Sequence, residues 1–212
     1  ISKVTHDIVT TVSPDVESYY LPHAVAPDHF RPLELNEIDN LREKSNIEKD
    51  KFLVFWNNRN ARRKQSATLI FWFKEFLERV GKDNAQLLMH TDPLDPNGPN
   101  LSAIIHELGL TSGQVMFSTN KVDFGQLAAL YNMADVTVNI SDAEGFGLAT
   151  LESLSCGTPI IVNMTGGLQE QVTDGEDWFG VGIQPSSKSI IGSQDIPYIF
   201  EDRINKEDFI SS

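Results

Sequence analysis

Short apolar runs alternate with segments of helical length through the middle of the chain, and this alternation is the strongest constraint on its fold. The runs have strand length and lie at residues 52–56, 86–90, 115–117, 136–140 and 160–162. The helical segments between them lie at residues 66–80, 101–108, 124–133 and 148–154. Strands that are apolar throughout are typical of a sheet covered on both faces. The sequence therefore predicts an α/β domain with a doubly wound parallel sheet, which binds ligands at the carboxyl ends of its strands.

The segments on either side of this alternation have a different composition. Residues 1–50 contain several prolines and a strongly charged stretch at 36–50, so we expect an interdomain segment followed by a charged linker, which could also be an exposed helix. Residues 51–186 hold the predicted domain. Residues 187–212 are mostly polar, and we expect a tail with little structure before residues 201–210, where a truncated helix would begin.

Charge and cysteine content exclude several classes of function. The net charge of −13 and the pI near 4.7 argue against a general nucleic-acid surface. The five histidines show no metal-ligand spacing, and the single cysteine, Cys156, is predicted to be a buried structural thiol. No apolar run reaches membrane-spanning length. We therefore expect no metal, no cofactor, no nucleic-acid partner and no membrane span.

A pair of glutamates brackets the most informative motif, Glu144-Gly145-Phe146-Gly147-Leu148, which runs on to Glu152. The motif follows a predicted strand and opens a predicted helix, so free backbone N–H groups and the helix dipole would form an anion site. Two carboxylates beside such a site suit a ligand with a phosphate and vicinal hydroxyls, as in a nucleotide sugar. The alternative is that the glycines are ordinary turn residues and the glutamates are solvated.

A basic loop follows the first predicted strand and holds four cations within six positions: Arg59, Arg62, Arg63 and Lys64. Guanidinium groups can grip a diphosphate through paired hydrogen bonds, and an ammonium adds a compact charge. The loop lies at a strand carboxyl end, where ligands bind in this type of sheet. The alternative is a solvated basic loop.

Residues 20–185 resemble the carboxy-terminal, nucleotide-sugar-binding domain of the retaining glycosyltransferases with the two-domain GT-B fold. This group 1 family includes glycogen synthase-like, sucrose synthase-like and mannosyltransferase-like members. The resemblance is carried by residues 144–152, by Cys-Gly-Thr-Pro-Ile-Ile-Val at 156–162 and by Gly-Gly-Leu-Gln-Glu at 166–170. It implies a Rossmann-like sheet that forms one half of a GT-B fold.

The resemblance also implies roles for individual residues. Arg59 and Lys64 would neutralise the donor diphosphate, and Glu144 would hold hydroxyls of the transferred sugar, so these three form the catalytic set. Glu152 would accept from the ribose diol. The remaining donor-binding residues would be Gly145, Phe146, Gly147, Leu148, Gly166 and Gly167, with Phe117 and Ser118 near the nucleobase. The chain departs from the family pattern at Asn58 and Gln65, and at Ala24 in the interdomain segment, where glycine is usual.

The resemblance implies that the chain is the donor-binding half of a two-domain glycosyltransferase. It would bind a nucleotide-diphosphate sugar and support retaining transfer to an unknown acceptor, held by an amino-terminal domain of the same natural chain. We expect a cytoplasmic protein that needs no metal, and the full-length form could also lie at the membrane surface. We expect the isolated fragment to be inactive. Two alternatives remain: a non-catalytic nucleotide-sugar-binding module, and a sugar-nucleotide epimerase of GT-B architecture.

Overall fold

The computed structural model describes all 212 residues and contains a six-stranded parallel sheet with the order β3-β2-β1-β4-β5-β6. Its strands are β1 Phe52–Asn57, β2 Ala85–His90, β3 Val115–Ser118, β4 Val136–Asn139, β5 Ile160–Asn163 and β6 Gly180–Ile183. Five of them match the apolar runs, so the predicted doubly wound α/β fold is confirmed. β6 was not predicted, because two of its four residues are glycines.

Helices cover both faces of the sheet. They are α1 Lys3–Val12, α2 Leu35–Lys44, α3 Ser66–Val80, α4 Leu101–Glu107, α5 Phe124–Met133, α6 Leu148–Ser155, α7 Gln169–Val172 and α8 Lys206–Ile210. β1 contributes to both sides: Val54 and Trp56 pack with α3 and α4, whereas Leu53 and Phe55 pack with α5. This alternation explains why β1 is apolar throughout. None of the helices is long and apolar enough to cross a membrane.

The strand order reverses between β1 and β4. β1 pairs in parallel with β2 on one side and with β4 on the other, with Val54 opposite Val136. The connections that follow β1 and β4 therefore leave the sheet in opposite directions and open a crevice at its carboxyl edge. Both motifs singled out in the sequence, the basic loop and the glutamate motif, lie in these two connections.

The charged segment at 36–50 begins as part of α2 and is tied to the domain. The Arg42 side chain is buried: its Nε and Nη2 donate to the carbonyl oxygen of Met133 at 2.8 and 2.5 Å, and Nη2 contacts Asp135 Oδ2 at 2.8 Å. Burial of a guanidinium is costly, and hydrogen bonds from its donors to acceptors such as these offset that cost. Of the two alternatives for this stretch, residues 36–44 therefore form the helix, and the buried Arg42 anchors it to the domain.

The expectation of a polar tail with little structure is wrong for residues 187–203. They form an antiparallel hairpin of β7 Ser187–Ile191 and β8 Ile199–Arg203. The predicted helix also begins later, at Lys206, and α8 buries Phe209 and Ile210 against the core on the α3 side. The hairpin was not predicted because Glu201, a charged residue that suggests an exposed position, is in fact buried at the base of the hairpin.

Candidate functional site

The connection between β4 and α6 forms the centre of the candidate site. It ends at Gly147, which has a φ of +88° and directly precedes α6 without providing a capping side chain. A side chain here would also collide with Leu168, whose Cδ2 lies 2.6 Å from the Cβ position. Two features therefore favour glycine at position 147: its positive φ and the lack of room for a Cβ. Because no side chain caps the first turn of α6, its free N–H groups can attract an anion.

The two glycines at 166 and 167 support this connection from below. The Gly167 N–H donates to the carbonyl oxygen of Glu144 at 3.1 Å. A Cβ on Gly166 would overlap that same oxygen, and one on Gly167 would lie 2.6 Å from Phe146 Cα. Close backbone approach thus accounts for both glycines. Their predicted contact with a ligand stays a prediction.

Gln171 holds the same connection through its side-chain amide. Its Nε2 donates to the carbonyl oxygens of Phe146 and, at 3.1 Å, Gly147, while its Oε1 accepts from Thr150 Oγ1 at 2.7 Å. Gln171 is buried, so these bonds are shielded from water. Gln171 was not predicted from the sequence, because glutamine carries no motif signal of its own.

Lys64 and Glu144 meet as an ion pair across the crevice. Lys64 ends a short helical turn after β1, and its Nζ contacts Glu144 Oε2, with side chains that are only 8% and 12% exposed. Burial lowers the pKa of Lys64 from its ordinary value, and the Glu144 carboxylate opposes that change. Arg63 Nη1 lies 3.8 Å from the same oxygen. The structure thus brings together two residues of the predicted catalytic set.

Arg59, the third residue of that set, has another partner. Its Nε donates to Asp95 Oδ2 at 2.7 Å and its Nη2 to Oδ1 at 3.3 Å, and its side chain is largely exposed. These bonds hold the pKa of the Asp95 carboxyl well below its ordinary value. An exposed arginine of this kind can exchange partners at little cost. Its predicted contact with a diphosphate stays a prediction.

Arg59 and Asp95 line a polar cleft of about 270 Å³ at the carboxyl ends of β1, β2 and β3. Ser118 also lines it, and its Oγ lies 2.9 Å from His90 Nδ1. Burial lowers the pKa of His90, so its neutral form is favoured. Phe117 instead packs its side chain against the core. Of the two residues expected near a nucleobase, Ser118 therefore presents its side chain to the cleft.

Glu152 lies on α6 and is half-buried. The Tyr131 hydroxyl donates to its Oε2 at 2.6 Å, and Asn57 Nδ2 donates to that hydroxyl at 2.7 Å. Burial raises the pKa of Glu152 above its ordinary value, and the bond from Tyr131 opposes the rise. Neither Tyr131 nor Asn57 was predicted as a site residue from the sequence. One signal was available, since a tyrosine at a core position of a helix needs a partner for its hydroxyl.

The rest of the glutamate motif faces outward. A Cβ on Gly145 would meet no atom within 4 Å, and Leu148 is largely exposed at the start of α6. The Phe146 ring meets the His23 ring edge-on, with centroids 4.7 Å apart. The open side of Gly145 leaves room for a ligand to approach the backbone.

The hairpin closes one side of the basic loop. Arg62 donates to Glu201 through Nη1 and Nη2 at 3.0 and 2.6 Å, and Arg203 Nη2 lies 3.3 Å from Asp142 Oδ2. Asp142 is buried, which raises its pKa, and it accepts from Gln65 Nε2 at 2.5 Å. Arg62, an alternative diphosphate ligand by sequence, is thus engaged by the hairpin.

Two further expectations concern cysteine and metal. Cys156 is buried at the end of α6, and burial raises the pKa of its thiol to about 11. It is therefore a structural residue, as the sequence predicts. No group of three or more His, Cys, Asp and Glu side chains is arranged to hold a metal ion.

Comparison with known proteins identifies the family. The family described as "Glycosyl transferases group 1" matches residues 37–210, which include the whole sheet and both motifs. The chain belongs to this family. D-inositol 3-phosphate glycosyltransferase 2 of Catenulispora acidiphila is 28% identical over 201 residues, which are 92% of this chain and 44% of that protein.

Solved structures of other proteins share the fold of this chain. Sucrose-phosphate synthase from Thermosynechococcus elongatus superposes with a TM-score of 0.71 at 26% identity, over 88% of this chain and 45% of that one. Anabaena Alr3699/HepE, solved in complex with UDP and glucose, superposes with a TM-score of 0.63 at 20% identity. The superposition covers 77% of this chain and 42% of that one. This group 1 chain thus spans less than half of each of these proteins.

Proposed function

We propose that this chain is the donor-binding half of a retaining glycosyltransferase and that it binds a nucleoside-diphosphate sugar. The observation that carries the proposal is the buried Lys64–Glu144 pair, which lies in the crevice beside the uncapped start of α6. Family membership and the complex of HepE with UDP and glucose support this class of donor.

The Lys64–Glu144 pair would rearrange when the donor binds. A diphosphate at the start of α6 offers Lys64 a stronger anionic partner than one carboxylate, and it also meets the positive end of the helix dipole. Glu144 then loses its cation and becomes free to accept from hydroxyls of the sugar. One exchange of partners would thus couple diphosphate binding to sugar binding.

The positive charges of the loop after β1 would then assist departure of the diphosphate. Negative charge builds on the leaving group in the transition state, and pre-positioned cations stabilise it. Lys64 supplies this charge from a buried position, and Arg59 would join it by exchanging Asp95 for phosphate. With these cations we propose that transfer needs no divalent metal.

Transfer itself would need a second domain. The crevice opens at the carboxyl edge of the sheet, and an acceptor held by an amino-terminal domain would close it. Closure orients the two substrates, which is a large part of the rate in bimolecular transfer. We therefore expect residues 1–212 alone to bind a donor without transferring its sugar.

The proposal is tested by separating the two glutamates. Glu152→Gln should weaken binding of UDP, GDP or ADP by about 1.5–3 kcal/mol, because all three carry ribose and charge-assisted bonds have this strength. Glu144→Gln should leave the bare nucleotide bound as well or better, since Lys64 loses a competing partner, yet weaken the intact nucleotide sugar. Isothermal calorimetry measures both.

Glu78→Gln, an exposed change on α3, is the control and should alter neither affinity. Equal effects of Glu144→Gln and Glu152→Gln on the bare nucleotide would show that the assigned roles are wrong.

A further inference from the structure

Tyr131 joins two elements of the site from inside the core. It lies on α5, is fully buried, and packs edge-on against Phe55 and Phe30 with ring centroids 5.1 and 6.3 Å apart. Only its hydroxyl reaches the site, where it lies between Asn57 at the end of β1 and Glu152 on α6. The packed ring fixes the position of this hydroxyl, because a buried aromatic side chain has no room to change rotamer.

The direction of each hydrogen bond in this chain of three residues follows from the donors available. A phenol has one hydrogen, and Asn57 Nδ2 can only donate, so the phenol oxygen accepts from Asn57. The phenol hydrogen is then committed to Glu152 Oε2 at 2.6 Å. Asn57 thus sets the direction in which Tyr131 donates, and Tyr131 sets the orientation of the carboxylate.

We infer that Tyr131, directed by Asn57, is a positioning residue that holds the Glu152 carboxylate ready for the ribose diol. A free glutamate samples many rotamers, and a ligand that binds it must first order the side chain. With Oε2 tied to Tyr131, Oε1 and one lone pair of Oε2 remain available for two neighbouring hydroxyls. This inference rests on the proposed function, because it takes Glu152 as the ribose ligand.

The test compares ribonucleotides with deoxyribonucleotides. UDP, GDP and ADP, each with its 2′-deoxy counterpart, are titrated into the 212-residue chain and into Tyr131→Phe by calorimetry. For whichever base binds, Tyr131→Phe should weaken the ribonucleotide about tenfold, the scale for one hydrogen bond to a charged group, and the deoxynucleotide less than about threefold. The preference for ribose therefore falls.

Two controls separate positioning from packing. Phe55→Leu disturbs the same aromatic cluster but leaves the Tyr131 hydroxyl in place, so the ratio of ribo to deoxy affinity should not change. In a Glu152→Gln background, Tyr131→Phe should no longer alter that ratio, because the residue on which it acts has already lost its charge.

If Tyr131→Phe fails to fold, Asn57→Ala provides the same test, with an expected loss of ribose preference of about two- to threefold, since the phenol hydrogen is then free to turn away. A wild-type chain that prefers ribose through Glu152, combined with a Tyr131→Phe variant that keeps the full preference, would overturn the inference alone. A wild-type chain that binds none of the nucleotides would instead overturn the proposed function.

Discussion

At the scale of single residues, Gln65 combines a left-handed backbone with a side chain that bonds two neighbours. Its φ of +56° lies in the region that glycine adopts most easily. Its side chain offsets the strain through bonds to Asp142 Oδ2 at 2.5 Å and from Thr68 Oγ1 at 2.6 Å. The bond to Asp142 also holds the basic loop against the connection after β4.

We predict that Gln65→Gly destabilises the protein by about 1 kcal/mol. The lost bond to the Asp142 carboxylate is worth about 1.5–3 kcal/mol, whereas relief of a left-handed backbone returns about 1–2 kcal/mol. The bond from Gln65 lowers the pKa of Asp142, which burial raises, so its loss raises this pKa further. The penalty is therefore full above this pKa and shrinks as pH falls through it.

Urea unfolding at neutral and acidic pH measures this difference. Asn46→Gly is the matched control, since Asn46 has a φ of +55° and its side chain has no hydrogen-bond partner in the structure. That substitution should be neutral or slightly stabilising at either pH. A Gln65→Gly variant more stable than the wild type would show that the side-chain bonds contribute little.

At the scale of secondary structure elements, the hairpin is the piece that adds most to the predicted domain. Its base is bound to the site through the Arg62–Glu201 pair, through Thr165 Oγ1, which donates to Asp202 Oδ2 at 2.8 Å, and through the Asp202 N–H, which donates to the Asp142 carbonyl oxygen at 2.9 Å. The hairpin thus contacts the connections after β1, β4 and β5 together.

We predict that Glu201→Gln destabilises the protein by about 1–2 kcal/mol. The Glu201 side chain is only 4% exposed, and the amide replaces a charged acceptor of three guanidinium bonds, two from Arg62 and one from Arg203. The loss stays below that of a fully buried pair because Arg62 is 55% exposed and can turn to water. The bonds from Arg62 lower the pKa of Glu201, so this stabilisation is present above the ordinary carboxyl pKa and is lost as pH falls.

Glu207→Gln is the control for Glu201→Gln, because Glu207 forms an exposed pair with Arg79 at 2.7 Å and such pairs contribute little. Thermal unfolding at neutral pH should show almost no change for Glu207→Gln. Equal effects of the two substitutions would mean that the hairpin base is not bound as tightly as its contacts indicate.

The same elements show what sequence patterns reveal. β1 to β5 and the helices between them were predictable, since strands buried on both faces are apolar and α3 has an apolar stripe. β6 was not predictable. Gly180 packs so closely on Ile160 that no side chain fits, and a strand with glycine at this position lacks an apolar run in the sequence. The hairpin was missed because its anchors, Glu201 and Asp202, are charged residues whose partners lie far away in sequence, and Glu201 is buried only through them.

The candidate site divides in the same way. The pairing of Lys64 with Glu144 follows from two motifs at the carboxyl ends of adjacent strands, so the topology brings them together. The placement of Tyr131 beside Glu152 depends on how α5 packs against α6, and no local pattern encodes that contact. Arg59 is a third case: its position in the basic loop indicated a role in the site, but no sequence pattern indicated its ion pair with Asp95.

At the scale of the whole molecule, an acidic chain places a cationic residue at the point where an anion would bind. The net charge of −13 would repel a nucleoside diphosphate at long range, so binding depends on local groups. Lys64 is the most buried of the four cations in the loop after β1 and lies beside the start of α6. We therefore expect this one ammonium to contribute a large share of the affinity for the donor.

The direct test is a calorimetric titration of UDP, GDP and ADP in EDTA into the wild type and Lys64→Ala, with exposed Lys82→Ala as the control. We predict that at least one nucleotide binds the wild type without metal, that Lys82→Ala binds it equally well, and that Lys64→Ala loses about 1.5–3 kcal/mol of binding free energy. Unchanged affinity in Lys64→Ala, or binding that requires Mg²⁺ or Mn²⁺, would contradict this prediction.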